Sequence, residues 1–345
     1  MLWTAPNNYF FILQVILQQS FWRDCSFDLK ENITNSVWDS RKSSTITKYC
    51  SSLRKFFEFC SSNEILIEIP FDSLTIVQYL EFIKNSPQSN SAMTSALLSI
   101  KWLHCFKPGL NSHNDPANDR ILSRIVDSSH RNSFKMKNRK KPLSADMIKD
   151  LIKLLPPLPT LTQLRDCLIP ILSYALLLRH DETSHLNCNH FNEDKNGFKI
   201  LIPSSKTDTY REGKFVYLSK NNQSATDLLR RYLSKSNLKI GQNHFLFGPI
   251  VFDKSSRKYE INNKKLSYEV FNQIFKDSAT KLGLDPKDYG THSARSGGAT
   301  SLAPHISQYD LLLNGRWSDP RSIGNYVETS SSRRFEINEI LDINT

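Results

Sequence analysis

Two stretches decide how this chain is read: Thr291-His292-Ser293-Ala294-Arg295-Ser296-Gly297-Gly298, and then Gly315-Arg316-Trp317-Ser318-Asp319-Pro320-Arg321-Ser322-Ile323-Gly324-Asn325-Tyr326. In the first, Gly290 ends a loop and Thr291 suits a helix N-cap, so His292 and Arg295 share one face of the first turns. An imidazole then lies beside a guanidinium near a helix N-terminus, where anions bind well. In the second, Asp319 suits a cap and Pro320 a first helical residue, which puts Tyr326 about two turns into a short helix, with Trp317 just before it. Each stretch alone has an ordinary structural explanation. A His-x-x-Arg is usually structural, paired glycines permit close helix packing, and a buried Trp and Tyr find hydrogen-bond partners.

Upstream pieces add to these. Leu178-Arg179-His180-Asp181-Glu182 ends an apolar helix, about 162–178, that carries Leu168, Ile171, Leu172 and Ala175 and a kink expected at Pro170. Glu182 is spaced to hold the Arg179 guanidinium by a charge-assisted hydrogen bond. The period then changes to two. Phe198, Ile200 and Ile202 alternate, as do Phe215 and Tyr217, which predicts a β-hairpin with a polar connection over Thr207 to Gly213. Ser204-Ser205-Lys206-Thr207 puts a lysine at the end of the first strand, and Lys214, opening the second, is the alternative if the register differs. Helices resume at Ser267.

Before this part the texture differs. Ile46, Tyr49, Cys50, Leu53, Phe57 and Cys60 form one helical stripe, and Met93, Ala96, Leu97, Ile100 and Leu103 another. Between the two parts Arg131, Lys135, Lys137, Arg139, Lys140 and Lys141 run without an acidic residue among them, as a solvated linker or a DNA contact. The expected class is mainly α with some β. Residues 1–40 are an extension of undisclosed role, 41–130 a helical bundle, 131–142 a basic linker, and 143–345 a mostly helical domain with a small antiparallel sheet.

Composition narrows the function classes. The 345 residues suit about two domains with real cores. Lys plus Arg is 45 against 34 for Asp plus Glu, a net charge of +11, which points to an anionic partner, nucleic acid before membrane. The longest apolar run, Tyr9 to Leu17, is about half of what a bilayer-spanning helix needs, and no basic stretch precedes it as in a secretory signal. A soluble chain is expected. Six cysteines at no framework spacing suggest a reducing compartment. His180, His185, Cys188 and His190 crowd together, but their spacing matches no closed zinc site.

Taken in order, Arg179, Lys206, His292-x-x-Arg295, Trp317 and Tyr326 resemble the active-site signature of the tyrosine recombinases, the phage integrase family. His-Ser-Ala-Arg, then Gly-x-Trp and Asn-Tyr, is similar to the Cre-type branch and to recombinases of eukaryotic DIRS-like and Crypton mobile elements. The motif resemblance spans about Leu143 to Val327. The preceding helical part resembles the family's core-binding domain by pattern only.

The resemblance implies that Tyr326 attacks a DNA phosphodiester to give a 3′-phosphotyrosyl bond and a free 5′-hydroxyl. A phenol, with an ordinary pKa of about 10, needs cationic neighbours or a base to become a good nucleophile. Arg179 and Arg295 would grip the non-bridging oxygens, His292 would assist proton transfer, and Lys206 would protonate the leaving oxygen. Trp317 stands where many relatives carry a second histidine, and its indole can donate a hydrogen bond but cannot shuttle a proton. Glu182 supports Arg179, and the basic linker would strap the duplex. No cofactor or metal is expected, since the covalent intermediate stores the phosphodiester energy. The implied partners are double-stranded DNA and further copies of the chain, four around two duplexes, with the tail of Phe335, Ile337 and Leu341 docking into a neighbour. No membrane or small-molecule substrate is implied. Residence is nuclear in a eukaryote and otherwise cytoplasmic. Two rivals are a non-catalytic DNA-binding module that kept the fold, and a type IB topoisomerase that relaxes DNA as a monomer.

Overall fold

A computed structural model describes residues 7–84, 89–132, 139–205, 208 and 212–327. The chain divides into two compact units, 1–137 and 138–345.

The first unit is helical among its described residues: α1 (Asn7–Leu17), α2 (Phe27–Asp39), α3 (Ser43–Ser62), α4 (Ser73–Lys84), α5 (Ser89–His104) and α6 (Arg120–Asn132). Both stripes read from the sequence face its core, except that Tyr49 is half-buried. Phe56, Phe71 and Tyr79 join them, with Phe56 and Phe71 edge to face at 4.7 Å. Residues 7–40 are not set apart: Ile12 and Ile16 of α1 lie in the same apolar cluster as Ile46 and Phe57. A fully buried imidazole ties this unit together. His104 Nε2 accepts the Phe71 N–H at 3.1 Å, and Nδ1 lies 2.6 Å from the Asp115 carboxylate.

The second unit opens with α7 (Ala145–Lys153), capped by Ser144, whose hydroxyl accepts the Met147 N–H at 3.2 Å. α8 (Leu161–Ala175) contains Pro170 and is buried along most of its length, so it forms the centre of the unit. It stops at Ala175, short of the expected Leu178, because Leu177 takes a left-handed conformation, φ 49°. Arg179 therefore does not end the apolar helix. It is the N-cap of a separate short one, α9 (His180–Ser184).

A three-stranded antiparallel sheet follows, with β1 (Phe191–Asp194), β2 (Gly197–Ile202) and β3 (Lys214–Ser219) in that order. Ile200 pairs with Val216 and Ile202 with Lys214. The inward residues of β3 are Val216 and Leu218. Phe215 and Tyr217, the alternation that marks the strand in the sequence, face outward, and Phe215 lies under the Lys199 ammonium at 4.1 Å. The stretch before Ser267, which the hydrophobic pattern leaves without a helix, holds α10 (Gln223–Ser236) and a hairpin of β4 (Ile250–Asp253) and β5 (Lys258–Ile261). α11 (Tyr268–Lys281), α12 (Ser293–Leu302) and α13 (Gln308–Gly315) complete the unit, with a 3₁₀ helix over Pro320–Asn325. The described part is mainly helical with a small antiparallel sheet, as the sequence predicts. No described helix is long and apolar enough to cross a membrane.

Two glycines let α12 sink into this frame. A Cβ on Gly297 would lie 1.8 Å from the Leu143 carbonyl oxygen, and one on Gly298 would lie 2.3 Å from that of Tyr174. Every residue from Ser293 to Ala299 is buried as a result.

Candidate active site

Burying α12 carries Arg295 to a fully enclosed position. Its guanidinium donates from Nη1 to the Leu177 carbonyl and from Nη2 to that of Gly315. The left-handed turn at Leu177 thus aims a backbone carbonyl at a charged side chain. Arg179, 8% exposed, reaches the same place from the start of α9 and donates from Nη1 to Glu182 Oε1 at 2.8 Å. Glu182 Oε2 accepts the Arg179 backbone N–H at 3.0 Å.

Glu182 also holds a third guanidinium. Arg316, 3% exposed, donates from Nη2 to Glu182 Oε2 at 2.7 Å and to the Leu177 carbonyl at 2.7 Å. Its Nη1 donates to the Leu176 and Asn314 carbonyls. Arg295 Nη1 lies 3.9 Å from Glu182 Oε2. Sequence reasoning passed over Arg316, since the carboxylate it pairs with lies 134 residues away in the chain. Its only signal was membership of the Gly-x-Trp stretch.

The electrostatics follow from this crowding. Burial works against the Glu182 carboxylate, but the Arg316 and Arg295 guanidiniums outweigh it and hold its pKa below the ordinary 4.5. Burial, with repulsion from Arg179 and Arg316, lowers the Arg295 pKa against the pull of Glu182. A guanidinium starts so high that it stays charged at neutral pH. The cluster is therefore electropositive by construction.

The tyrosine meets this cluster. Asp319 caps the 3₁₀ helix by accepting the Arg321 N–H at 2.9 Å, and Tyr326 follows its last turn, half-buried. Ile323, Trp317, Leu177 and Ala299 form a small apolar cluster against which Tyr326 packs. The Arg295 guanidinium carbon lies 4.5 Å from the Trp317 ring centre and 5.1 Å from that of Tyr326. The Trp317 and Tyr326 rings are 5.1 Å apart, and the exposed His292 ring is 6.4 Å from Tyr326. His292, rather than Thr291, occupies the N-cap position of α12. Trp317 packs against Gly315, where a Cβ would collide with the indole, and its buried Nε1–H finds no partner among the described residues, as is also true of Arg295 Nε. Buried donors left over beside a tyrosine are groups that an incoming oxyanion can satisfy.

Arg179, Arg295, His292, Trp317, Tyr326 and Glu182 are thus gathered. Lys206 lies outside the described residues, as do Lys135, Lys137 and the tail with Phe335, Ile337 and Leu341. Lys214 is exposed on the edge strand β3. Of the other basic residues, Arg131 lies exposed in α6, Arg139 donates to the Gly324 carbonyl at 3.0 Å, Lys140 bonds the Lys287 carbonyl, and Lys141 pairs with Asp288 at 2.6 Å. Among the described residues no group of three or more His, Cys, Asp or Glu side chains converges as a metal site, and all six cysteines are free. His180 instead packs edge-on against Tyr268 and Phe271.

The mainly helical second unit gathers three arginines, a tryptophan and a tyrosine around one buried carboxylate, and comparison with known proteins places this architecture. Residues 141–333 match the model of the phage integrase family, and the chain belongs to that family. It is 22% identical over 293 residues to an integrase/recombinase xerD homolog of Selenomonas ruminantium, across 84% of this chain and 82% of that protein. In fold it is similar to the XerH site-specific recombinase bound to a palindromic difH substrate, with TM-score 0.62 and 16% identity over 98% of this chain and 89% of that one. It is also similar to the Tn1549 transposon integrase in complex with transposon right-end DNA, with TM-score 0.58 and 12% identity over 96% and 99%.

Proposed function

We propose that this chain is a site-specific DNA recombinase that cuts and rejoins strands through a 3′-phosphotyrosyl bond to Tyr326, serving the integration of a mobile element. One observation carries the reading: the Tyr326 ring lies within 5.1 Å of both the buried Arg295 guanidinium and the Trp317 indole, whose N–H is unpartnered among the described residues.

In the proposed step the Tyr326 oxygen passes its proton to the His292 imidazole and attacks the phosphorus of a DNA phosphodiester. The bond from phosphorus to the 5′-oxygen breaks, and that oxygen takes a proton from Lys206 to leave as a hydroxyl. The phosphate stays joined to the 3′-oxygen and now to tyrosine. Attack by the 5′-hydroxyl of another strand reverses the sequence and frees Tyr326. Arg179 and Arg295 neutralise charge that grows on the non-bridging oxygens, which favours the transition state over the ground state. The Trp317 N–H donates to the same oxygens. Backbone contacts by the basic stretch from Arg131 to Lys141 would orient the duplex without reading it. Trp317 in place of a second histidine supports the Cre-like branch. Assembly as four copies on two DNA sites belongs to the same proposal.

The test uses a pool of nicked duplexes with a randomised core and a 5′ label, from which departure of a short strand traps the intermediate. The expected result is a label that stays with the protein through denaturation. Tyr326→Phe should keep DNA binding and abolish the adduct. Equal adduct from Tyr326→Phe would refute the nucleophile, and binding without adduct from the unaltered chain would favour the non-catalytic module.

A further inference from the structure

Count the charges that the described site buries. Arg179, Arg295 and Arg316 contribute three positive charges and Glu182 one negative, a net of two positive charges on largely buried side chains. A phosphodiester carries one negative charge, and joining it to a tyrosinate makes a transition state with two. Without Arg316, the carboxylate would cancel one of the remaining two guanidiniums and leave a single positive charge. An enclosed pocket stabilises a developing dianion through fixed charges of the opposite sign.

The bonds agree with the count. Arg316 takes Glu182 Oε2 at 2.7 Å, while Arg295 stands off at 3.9 Å and turns its carbon toward Trp317 and Tyr326. Arg316 also fastens the carbonyls of Leu176 and Leu177, the second of which is one of the two that hold Arg295. Its own backbone is left-handed, φ 53°, a conformation that glycine takes freely and that other residues adopt only at a cost. The side chain's bonds offset that strain.

The geometry points to Arg316 as a positioning residue: it neutralises Glu182 and anchors the Leu176–Leu177 turn, so that the carboxylate does not cancel the charge that Arg179 and Arg295 present to the DNA phosphate. It acts through these neighbours and need not touch the substrate. This rests on the phosphoryl-transfer reading given above.

The experiment compares the unaltered chain with Arg316→Met on the duplex recovered from the nicked pool, once with its natural scissile phosphate and once with a methylphosphonate there. The methyl group replaces one charged oxygen, so the transition state carries one negative charge fewer. On the natural linkage Arg316→Met should slow adduct formation roughly 10- to 100-fold, by analogy with the loss of a residue that orients a metal ligand. On the methylphosphonate the defect should shrink to within about threefold, since less charge needs neutralising. A defect of equal size on both linkages means a purely structural role and overturns the inference. If Arg316→Met gives no cooperative melt, the same ratio is read with Arg316→Lys, which keeps the charge but cannot span the Leu176 and Asn314 carbonyls. A lysine defect below about tenfold on the natural linkage supports the inference, and a larger one that is equal on both linkages overturns it. An unaltered chain that forms no Tyr326 adduct would instead overturn the proposed function, and this inference with it.

Discussion

Removing the Glu182 carboxylate should unfold the second unit at a markedly lower temperature. Its contacts at 2.8 Å to Arg179, 2.7 Å to Arg316 and 3.9 Å to Arg295 are each worth about 4 to 6 kcal/mol of Coulomb energy at an effective dielectric of about 20. Most of that offsets the cost of taking four ions out of water, so the gross figure overstates the net. Glu182→Ala, however, removes one partner and leaves three guanidiniums buried without a counterion, a change that typically costs about 3 to 5 kcal/mol. For a unit of this size that corresponds to a melting point lower by about 6 to 20 °C. The assay is calorimetry of the full chain at pH 7. A pH series adds a sign. The folded carboxyl has its pKa below 4.5, so its stabilisation is complete above the unfolded value and fades as pH falls through the folded one. The unaltered chain should therefore lose its advantage over Glu182→Ala in acid. A variant that melts within about 2 °C of the unaltered chain at pH 7 would refute the description of Glu182 as the counterion of the cluster.

Other expectations concern packing and protonation. Gly297→Ala should destabilise the second unit by at least about 1 to 3 kcal/mol, because its methyl would meet the Leu143 carbonyl, whereas Gly324→Ala, with nothing within 4 Å, should leave the melting curve unchanged. Equal curves for the two variants would show that α12 does not need its close approach. His104 keeps a pKa below the ordinary 6.5 because burial outweighs the Asp115 carboxylate, so the unfolded chain takes up the proton first. The stability of the first unit should be full above about pH 6.5 and fall as pH drops below it; a His104 resonance titrating at or above 6.5 would contradict this.

Much of the fold was readable because local chemistry decides it. The stripes on α3 and α5 repeat at helical spacing, Ser144 and Asp319 cap the helices that follow them, and Phe198, Ile200 and Ile202 alternate as a strand must. The failures share a cause. β3 was found through Phe215 and Tyr217, yet its inward face is Val216 and Leu218, since alternation reveals a strand without saying which side is covered. The apolar spacing carries α8 three residues past its end because Leu176, Leu177 and Leu178 are apolar whether helical or turned, and nothing local announces the left-handed Leu177. α10 and the hairpin β4–β5 carry weaker patterns and take their form from what they pack against.

By itself, the order of residues determined which chemical groups are present and the short-range spacings that tie them in pairs: Arg179 to Glu182, His292 to Arg295, Asp319 to its 3₁₀ turn. Only the tertiary structure decided that these pairs meet. It sinks α12 through two glycines, turns the Leu177 carbonyl toward two arginines, and brings Arg316 onto a carboxylate 134 residues away. The physical reason is one of range. Capping and periodicity act over a few residues of chain, whereas the balance of buried charge around Tyr326 depends on which distant groups share a volume from which water has been removed.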